Sequence, residues 1–315
     1  MNVRSNGALL TAAALTVAVL AVSSSAPLIA FAAAPALAIA FWRNALAAVA
    51  LTPITLGPRR AEFRELRSGR HRRAGMFCLL AGAALAAHFA TWMPSVQLGS
   101  VATAAALVAT QPVWQGLIAA GQGRRPSAAG WLGIVMAVAG AAWATGADLG
   151  VSRQAVLADV LALAGGIAAA VYTALGERAR AELSTTTYTW VCYGTCAVLL
   201  LIACLAVRIP ISGYAASTWA AILAIVVGAQ LLGHSMFSYA LHRVSATTIS
   251  VILLLEVPGA ALLAWVWLGQ QPRAASIPGL VLIVLGVVVV ILGSRVTRDR
   301  TPATPSLADA ADPAP

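Results

Sequence analysis

Runs of apolar residues long enough to cross a lipid bilayer follow one another along almost the whole chain. Hydrophobic residues make up 60% of the 315 residues, and charged residues only 10%. A water-soluble domain needs no such composition, whereas membrane-spanning helices of about 20 residues require it. We therefore predict an all-α integral membrane protein. Ten transmembrane helices are predicted at 8–27, 35–56, 74–96, 100–120, 127–146, 156–175, 187–207, 217–241, 246–268 and 274–293.

The two ends of the chain need separate interpretation. Residues 1–26 resemble a signal peptide, because an apolar run after Arg4 leads to three serines and Ala26. The long run and the many spans after it favour an uncleaved first helix, with cleavage as the alternative. Residues 295–315 are polar and rich in proline and alanine, which predicts a disordered cytoplasmic tail.

The distribution of arginine predicts the orientation. The chain has 20 arginines, no lysine and a net charge of +10. With both termini inside, 16 arginines lie in cytoplasmic segments and 3 in outer segments, and Arg43 lies within the second span. Positive charge collects on the cytoplasmic side of membrane proteins, where it contacts anionic lipid. We therefore expect a multi-pass protein of the inner or plasma membrane with both termini cytoplasmic and no nucleic-acid partner.

The chain also repeats itself. A shift of 146 residues aligns the two halves without a gap from Ala74 to Trp143. The shift pairs His88 with His234, Pro112 with Pro258, Pro126 with Pro272, Gly133 with Gly279, and Gly140 with Gly286. Each half has five predicted spans, and an odd number inserts the second half upside down. This predicts two inverted five-helix repeats, at 8–147 and 154–294, related by an axis in the membrane plane.

Two stretches carry a family resemblance. One is FWRNALAAVALTPITL, which contains Arg43, and the other is a proline followed by a G-x-x-P loop, present in both halves. The second copy, LLEVPGAALLAWVWLGQQP, is the more specific. In these stretches the chain resembles the EamA-type transporters of the drug/metabolite transporter superfamily. The resemblance implies ten spans and export of metabolites, amino acids or drugs. Relatives usually carry an acid directly before the proline and another after the glycine, where this chain has Val257 and Gln270.

One acidic residue lies deep in the ninth span. Glu256 is the only ionisable residue between Ala246 and Gly269, and Pro258 follows two positions later. A carboxyl group at mid-membrane is costly, and proline removes a backbone donor, so this position indicates a function. Glu256 could bind a proton or a cationic group of the substrate. The alternative is a packing role in which it bonds to backbone that Pro258 leaves free.

Other polar residues in the spans have two interpretations each. Arg43 could hold a carboxylate or pair with Glu256, or it could bond to helix carbonyl groups. His88 and His234 could line opposite ends of one pathway, or pack between helices. Pro112 and Pro258 mark broken helices at a binding site, or simple kinks. Further candidate pathway residues are Thr110, Gln111, Trp92, Trp114, Tyr172 and Tyr239.

The sequence favours a secondary transporter of small organic solutes over other classes. It contains no P-loop, catalytic triad or metal-ligand cluster, so we expect neither an enzyme nor a cofactor nor a metal. The four cysteines lie in apolar runs and are expected to pack there. The alternatives are an integral-membrane enzyme and a receptor or scaffold without transport activity. The sequence leaves open whether the chain forms a homo-oligomer.

Overall fold

The computed structural model describes residues 3–68, 71–98, 101–146, 153–268 and 274–299, and every regular element within these ranges is a helix. The elements are α1 (Val3–Ser23), α2 (Ser25–Phe31), α3 (Ala36–Leu56), α4 (Arg60–Ser68), α5 (Arg72–Leu98), α6 (Val101–Val108), α7 (Gln111–Gly121), α8 (Ala128–Thr145), α9 (Arg153–Arg180), α10 (Thr185–Ala206), α11 (Ala216–Ile225), the π-helix π1 (Val226–His234), α12 (Ser235–Ala240), α13 (Ala246–Leu253), α14 (Glu256–Leu268), a 3₁₀ turn (Ala274–Ser276) and α15 (Ile277–Asp299). The predicted tail beyond residue 299, Gln270 and Pro272 lie outside the described residues.

Several of these helices can cross a membrane. In the described part of the chain, seven helices are long and apolar enough to do so. Two shorter apolar helices, Gly7–Ser23 and Ala128–Ala144, lie at the predicted first and fifth spans. Large apolar side chains such as Leu9, Leu132 and Val266 are more than half exposed. Such an exposed apolar surface suits contact with lipid rather than with water.

Serine side chains cap three helices at one end of the bundle. Ser127, Ser184 and Ser245 accept hydrogen bonds from backbone N–H groups in the first turns of α8, α10 and α13. These caps satisfy donors that the helix itself leaves free. Glu62 of α4 contacts Ser184 here, and Glu177 contacts both Arg124 and the backbone of Ala246, so we call this the arginine-rich end.

Helices α8 and α15 pack through glycines in direct contact. A Cβ on Gly133 would lie 2.7 Å from the carbonyl oxygen of Gly286, and one on Gly140 would lie 2.7 Å from that of Gly279. The glycine that comes first in α8 thus meets the one that comes second in α15, so the two helices run antiparallel. Small residues allow such close approach of membrane helices. The glycines of the predicted repeat therefore form one contact between the two halves.

We expect Gly140→Ala to destabilise the protein, because the new Cβ would press on backbone atoms that cannot rotate away. Overpacking of this kind costs about 1–3 kcal/mol. The matched control is Gly194→Ala in α10, where an added Cβ meets nothing within 4 Å. The control should be neutral or slightly stabilising, since alanine favours the helix. Thermal unfolding of the purified variants measures the difference, and equal midpoints would contradict the packing described here.

The amphipathic helix α4 is fastened to the start of α10. The Glu62 carboxylate accepts hydrogen bonds from the backbone N–H of Ser184 at 2.6 Å, from the Ser184 hydroxyl at 2.7 Å and from the Thr187 hydroxyl at 2.9 Å. Burial acts to raise the pKa of Glu62, but these hydrogen bonds outweigh it and leave the pKa below its usual 4.5. Phe63 contacts Trp190 edge to face.

Glu62→Gln should lower stability at neutral pH by about 1 kcal/mol, a small value because Glu62 is partly exposed. Since its folded pKa is depressed, the carboxylate contributes stability above its usual pKa of 4.5 and contributes less as the pH falls through the folded value. Unfolding midpoints of wild type and variant should therefore converge towards acid pH. A difference that stays constant over the titration would rule out this role of the charge.

Candidate functional site

A buried polar cluster lies between α3 and π1. The Arg43 Nε donates to the Gln230 Oε1 at 2.7 Å, and the Gln230 Nε2 donates to the Asn44 Oδ1 at 3.1 Å. Arg43 is 1% exposed, and the other two side chains are fully buried. The side chain that holds Arg43 is therefore a neutral amide, and no described carboxylate lies within 4 Å of this cation.

The π-helix π1 brings Gln230 to this position. It interrupts the predicted eighth span for nine residues, whereas the corresponding part of α5 is α-helical. Such wide turns are rare and concentrate at functional sites. The Tyr193 hydroxyl lies 3.4 Å from the Gln230 carbonyl and 3.1 Å from the Ser235 hydroxyl, so it contacts backbone that the wide turn displaces. Gln230, Asn44 and Tyr193 were not among the residues predicted from the sequence.

Aromatic rings surround the arginine. Its guanidinium group lies 4.6 Å from the centre of the Phe89 ring. The centroids of the Phe89 and His234 rings are 6.1 Å apart, and those of the Tyr172 and His234 rings are 6.2 Å apart. His88 is adjacent to Phe89, so the two histidines flank one phenylalanine. The sequence suggested that they line opposite ends of one pathway, whereas here both imidazole rings lie beside the Phe89 ring.

His88 and Trp92 extend this group of rings. The two rings stack with an interplanar angle of 6° and a centroid distance of 5.6 Å. The His88 Nδ1 lies 2.9 Å from the Gly165 carbonyl of α9, which fixes the orientation of the imidazole. The Trp92 Nε1 is buried and has no hydrogen-bond partner among the described residues. The ring group therefore runs from Arg43 towards α9.

The spans that contain Pro112 and Pro258 are each broken two to four residues before the proline. Helix α6 ends at Val108 and α7 begins at Gln111, while α13 ends at Leu253 and α14 begins at Glu256. With the 146-residue shift, these breaks coincide to within one residue, and Thr110 corresponds to Glu256. At both breaks the α-helical hydrogen bonds give way to bonds that span three residues, from the Thr110 N–H to the Leu107 carbonyl and from the Leu254 N–H to the Val251 carbonyl.

Glu256 lies at the second break without a pairing partner. Arg43 acts on it electrostatically, yet the two side chains are more than 4 Å apart. The carboxylate accepts no hydrogen bond from any described residue, and only the backbone carbonyl of Glu256 lies near Ser23, at 3.5 Å from its hydroxyl. The expected pairing of Arg43 with Glu256 is therefore absent from this structure.

The remaining predicted residues divide between the first break and the arginine-rich end. The Trp114 Nε1 donates to the Thr110 hydroxyl at 3.1 Å, and the Gln111 Nε2 donates to the Thr173 hydroxyl of α9 at 3.1 Å. Tyr239 instead interacts electrostatically with Arg180, at the end of α9. Thr110, Gln111 and Trp114 thus surround the first break, and Tyr239 lies apart.

An ion pair joins the two halves at the arginine-rich end. The Arg124 Nη2 lies 2.7 Å from the Glu177 Oε2, and this hydrogen bond raises the pKa of Arg124 above its usual value. The Glu177 Oε1 accepts from the backbone N–H of Ala246 at 3.1 Å. Glu177 therefore connects the loop after α7 to the start of α13. The depression around it has a volume of about 410 Å³.

The described residues include no group of three metal-ligating side chains, and the four cysteines are buried and free. The chain contains apolar helices of membrane-spanning length around a buried arginine, and this arrangement defines a multi-pass membrane protein. Residues 7–146 and 156–292 match the EamA-like transporter family. The chain belongs to this family, and the two matched ranges fall in its two halves.

Comparison with solved structures supports the same fold. One structure, described only as "Crystal structure of protein", has a TM-score of 0.74 and 20% sequence identity. The alignment covers 91% of this chain and 98% of that chain. At this identity the likeness shows the fold alone. No curated protein matches the chain.

Proposed function

We propose that this protein is a secondary transporter that moves small organic solutes across the cytoplasmic membrane, most simply as an exporter. Its ten spans form two inverted five-helix repeats with both termini cytoplasmic. The antiparallel packing of α8 on α15, through glycines that correspond in the two halves, supports the inverted arrangement. The 16-to-3 distribution of arginines supports the orientation.

The observation that carries the transport function is the pair of corresponding helix breaks beside the buried Arg43 and the half-buried Glu256, which form no ion pair with each other. Broken helices at the middle of inverted repeats form solute sites in secondary transporters. Arg43 and Glu256 are costly to place in a membrane, and neither neutralises the other in this structure. A bound solute or ion that pairs with such a group would offset the cost of placing it in the membrane.

In this proposal the named residues have separate roles. Glu256 binds a proton or a cationic group, and its position at the break couples that binding to movement of α13 and α14. The rings of Tyr172, His88 and His234 form the wall of the solute site. Thr110 and Gln111 line the corresponding position at the first break.

Reconstitution into liposomes tests the proposed function. Protein-containing and protein-free vesicles are loaded with a metabolite extract, and the solutes that leave are identified by mass spectrometry. We expect a defined set of small solutes to leave only the protein-containing vesicles. The same solutes should accumulate outside cells that overexpress the protein. Identical efflux from both kinds of vesicle, with correctly inserted protein, would contradict transport.

The orientation can be tested independently of any solute. A topology reporter fused after Arg298 should be active only in its cytoplasmic form, because α15 is predicted to end inside. A reporter inserted after Gly146, between the predicted fifth and sixth spans, is the matched control and should be active only in its periplasmic form. The reverse result at either position would overturn the arginine-based orientation.

A further inference from the structure

The Arg43 guanidinium group is incompletely satisfied. It has five N–H donors, of which the structure uses Nε for Gln230. The buried Nη2 has no hydrogen-bond partner among the described residues. A buried donor without a partner is unusual in a folded protein and more costly when it carries charge. The free edge of this group is therefore the part of the cluster that a ligand would satisfy.

The charge of the surroundings narrows the class of ligand. The neighbours within hydrogen-bond distance of Arg43 and Gln230 are neutral amides, carbonyls and hydroxyls. The carboxyl group that acts on Arg43 is Glu256, and it lies beyond 4 Å. One unpaired cation balances one negative charge, which suits a carboxylate better than a phosphate dianion. A guanidinium edge also matches a carboxylate geometrically.

The rings next to Arg43 define the rest of the ligand. The Phe89 ring lies against the guanidinium group. The His234 ring lies next to it, at 6.1 Å between ring centroids, and the Tyr172 ring lies 6.2 Å from that of His234. Trp92 adds a second buried N–H without a partner at the far side of His88. A ligand with a charged end and a flat apolar part would cover these surfaces together.

We propose that the cluster of Arg43, Phe89, Tyr172 and His234 binds a small organic carboxylate with a planar apolar group. The carboxylate accepts hydrogen bonds from the free edge of Arg43, and the planar group packs on the three rings. This assignment rests on the proposed function, because it places the solute of the transporter at this cluster. It makes Arg43 the residue that determines the charge of the solute.

Three probes that share a benzyl group and differ in charge test the assignment: phenylacetate, 2-phenylacetamide and 2-phenylethylamine. The full-length protein is purified in detergent, and its thermal unfolding is followed with each probe. We expect phenylacetate at about 10 mM to raise the midpoint by about 2–4 °C and the other two to have little effect. An equal or larger shift with the amine or the amide, or no shift with phenylacetate, would overturn the proposal.

Variants locate the binding. Arg43→Gln should weaken phenylacetate binding at least about tenfold, and Arg43→Lys should weaken it less, since the ammonium keeps the charge but not the planar fork. The matched control is Arg178→Gln, because Arg178 also lies over a phenylalanine ring, at 5.5 Å from Phe77, but is exposed. The control should bind phenylacetate as wild type does. If Arg43→Gln fails to fold, the probe series on wild type and Arg43→Lys still decides.

The outcome separates this proposal from the proposed function. Solute efflux from protein-containing vesicles without carboxylate binding would support the transport function and refute the carboxylate site. Carboxylate binding that depends on Arg43, without efflux of any solute, would support the carboxylate site and refute the transport function.

Discussion

Glu256→Gln is expected to remove the pH dependence of transport while leaving the protein folded and inserted. Glutamine keeps the shape and hydrogen-bonding capacity of glutamate but cannot bind or release a proton. Because the carboxylate accepts no hydrogen bond from the described residues and has no ion-pair partner, little structure depends on its charge. The coupled transport rate should fall by about tenfold or more, equal to about 1.4 kcal/mol.

The measurement is efflux from liposomes between about pH 5.5 and 8 for wild type and Glu256→Gln, once a solute is identified. Glu182→Gln is the matched control, because Glu182 is exposed at the arginine-rich end, where its carboxylate lies near His71. The control should keep the wild-type rate and pH profile. If Glu256→Gln also kept both, Glu256 would be a structural residue.

Gln230→Leu is expected to have the largest effect on stability among single changes in the site. Leucine has a similar size but removes the acceptor of the Arg43 Nε and the donor to Asn44. The Arg43 Nε and the Asn44 Oδ1 would remain buried without these hydrogen bonds, which costs about 2 kcal/mol or more, while the Asn44 Nδ2 keeps its bond to the Ala40 carbonyl. Transport should be lost as well, because Arg43 would no longer be held at the ring cluster.

Thermal unfolding and efflux assays measure the two effects of this change. Gln154→Leu is the matched control, since Gln154 is exposed and donates one hydrogen bond to the Leu98 carbonyl. It should alter neither property appreciably. In contrast, Gln230→Glu should fold, because it gives Arg43 an acidic partner, but it should no longer bind phenylacetate. Stable and active Gln230→Leu protein would show that the amide is dispensable.

Hydropathy predicted apolar helices from local features of the sequence, because each is apolar over its own length. In the described residues seven helices are long and apolar enough to cross a membrane, whereas the sequence predicted ten. Breaks near Pro112 and Pro258 were predicted from the backbone donor that proline removes and from its recurrence in both halves, because proline alone does not suffice: Pro53 and Pro94 lie within continuous helices. Glycines seven residues apart share one helix face, so Gly133 and Gly140 indicate close packing of α8 but do not identify α15 as its partner. The resemblance to EamA-type transporters was confirmed by the match over both halves.

The contacts between spans could not be predicted in the same way. The pairing of Arg43 with Gln230 depends on how α3 and the eighth span are rotated about their axes, which hydropathy does not determine. The π-helix changes that rotation and has no sequence signal that we can identify. The one sequence feature that points to Gln230 is its place as an amide in the middle of an apolar span. Local patterns therefore indicated Arg43 and the helix breaks, but they did not indicate that Gln230 is the hydrogen-bond partner of Arg43.

The wide turn of π1 has a geometric consequence for the site. A π-helix holds more residues per turn than an α-helix, so π1 contains surplus chain within the eighth span. If this surplus passed along the span and π1 returned to α-helical bonding, the residues over which it passed would rotate about the helix axis. Gln230 would leave Arg43 and His234 would turn away from Phe89 in one step. One shift of the backbone hydrogen bonds along the helix would thus separate both the polar contacts of Arg43 and the contact between the His234 and Phe89 rings.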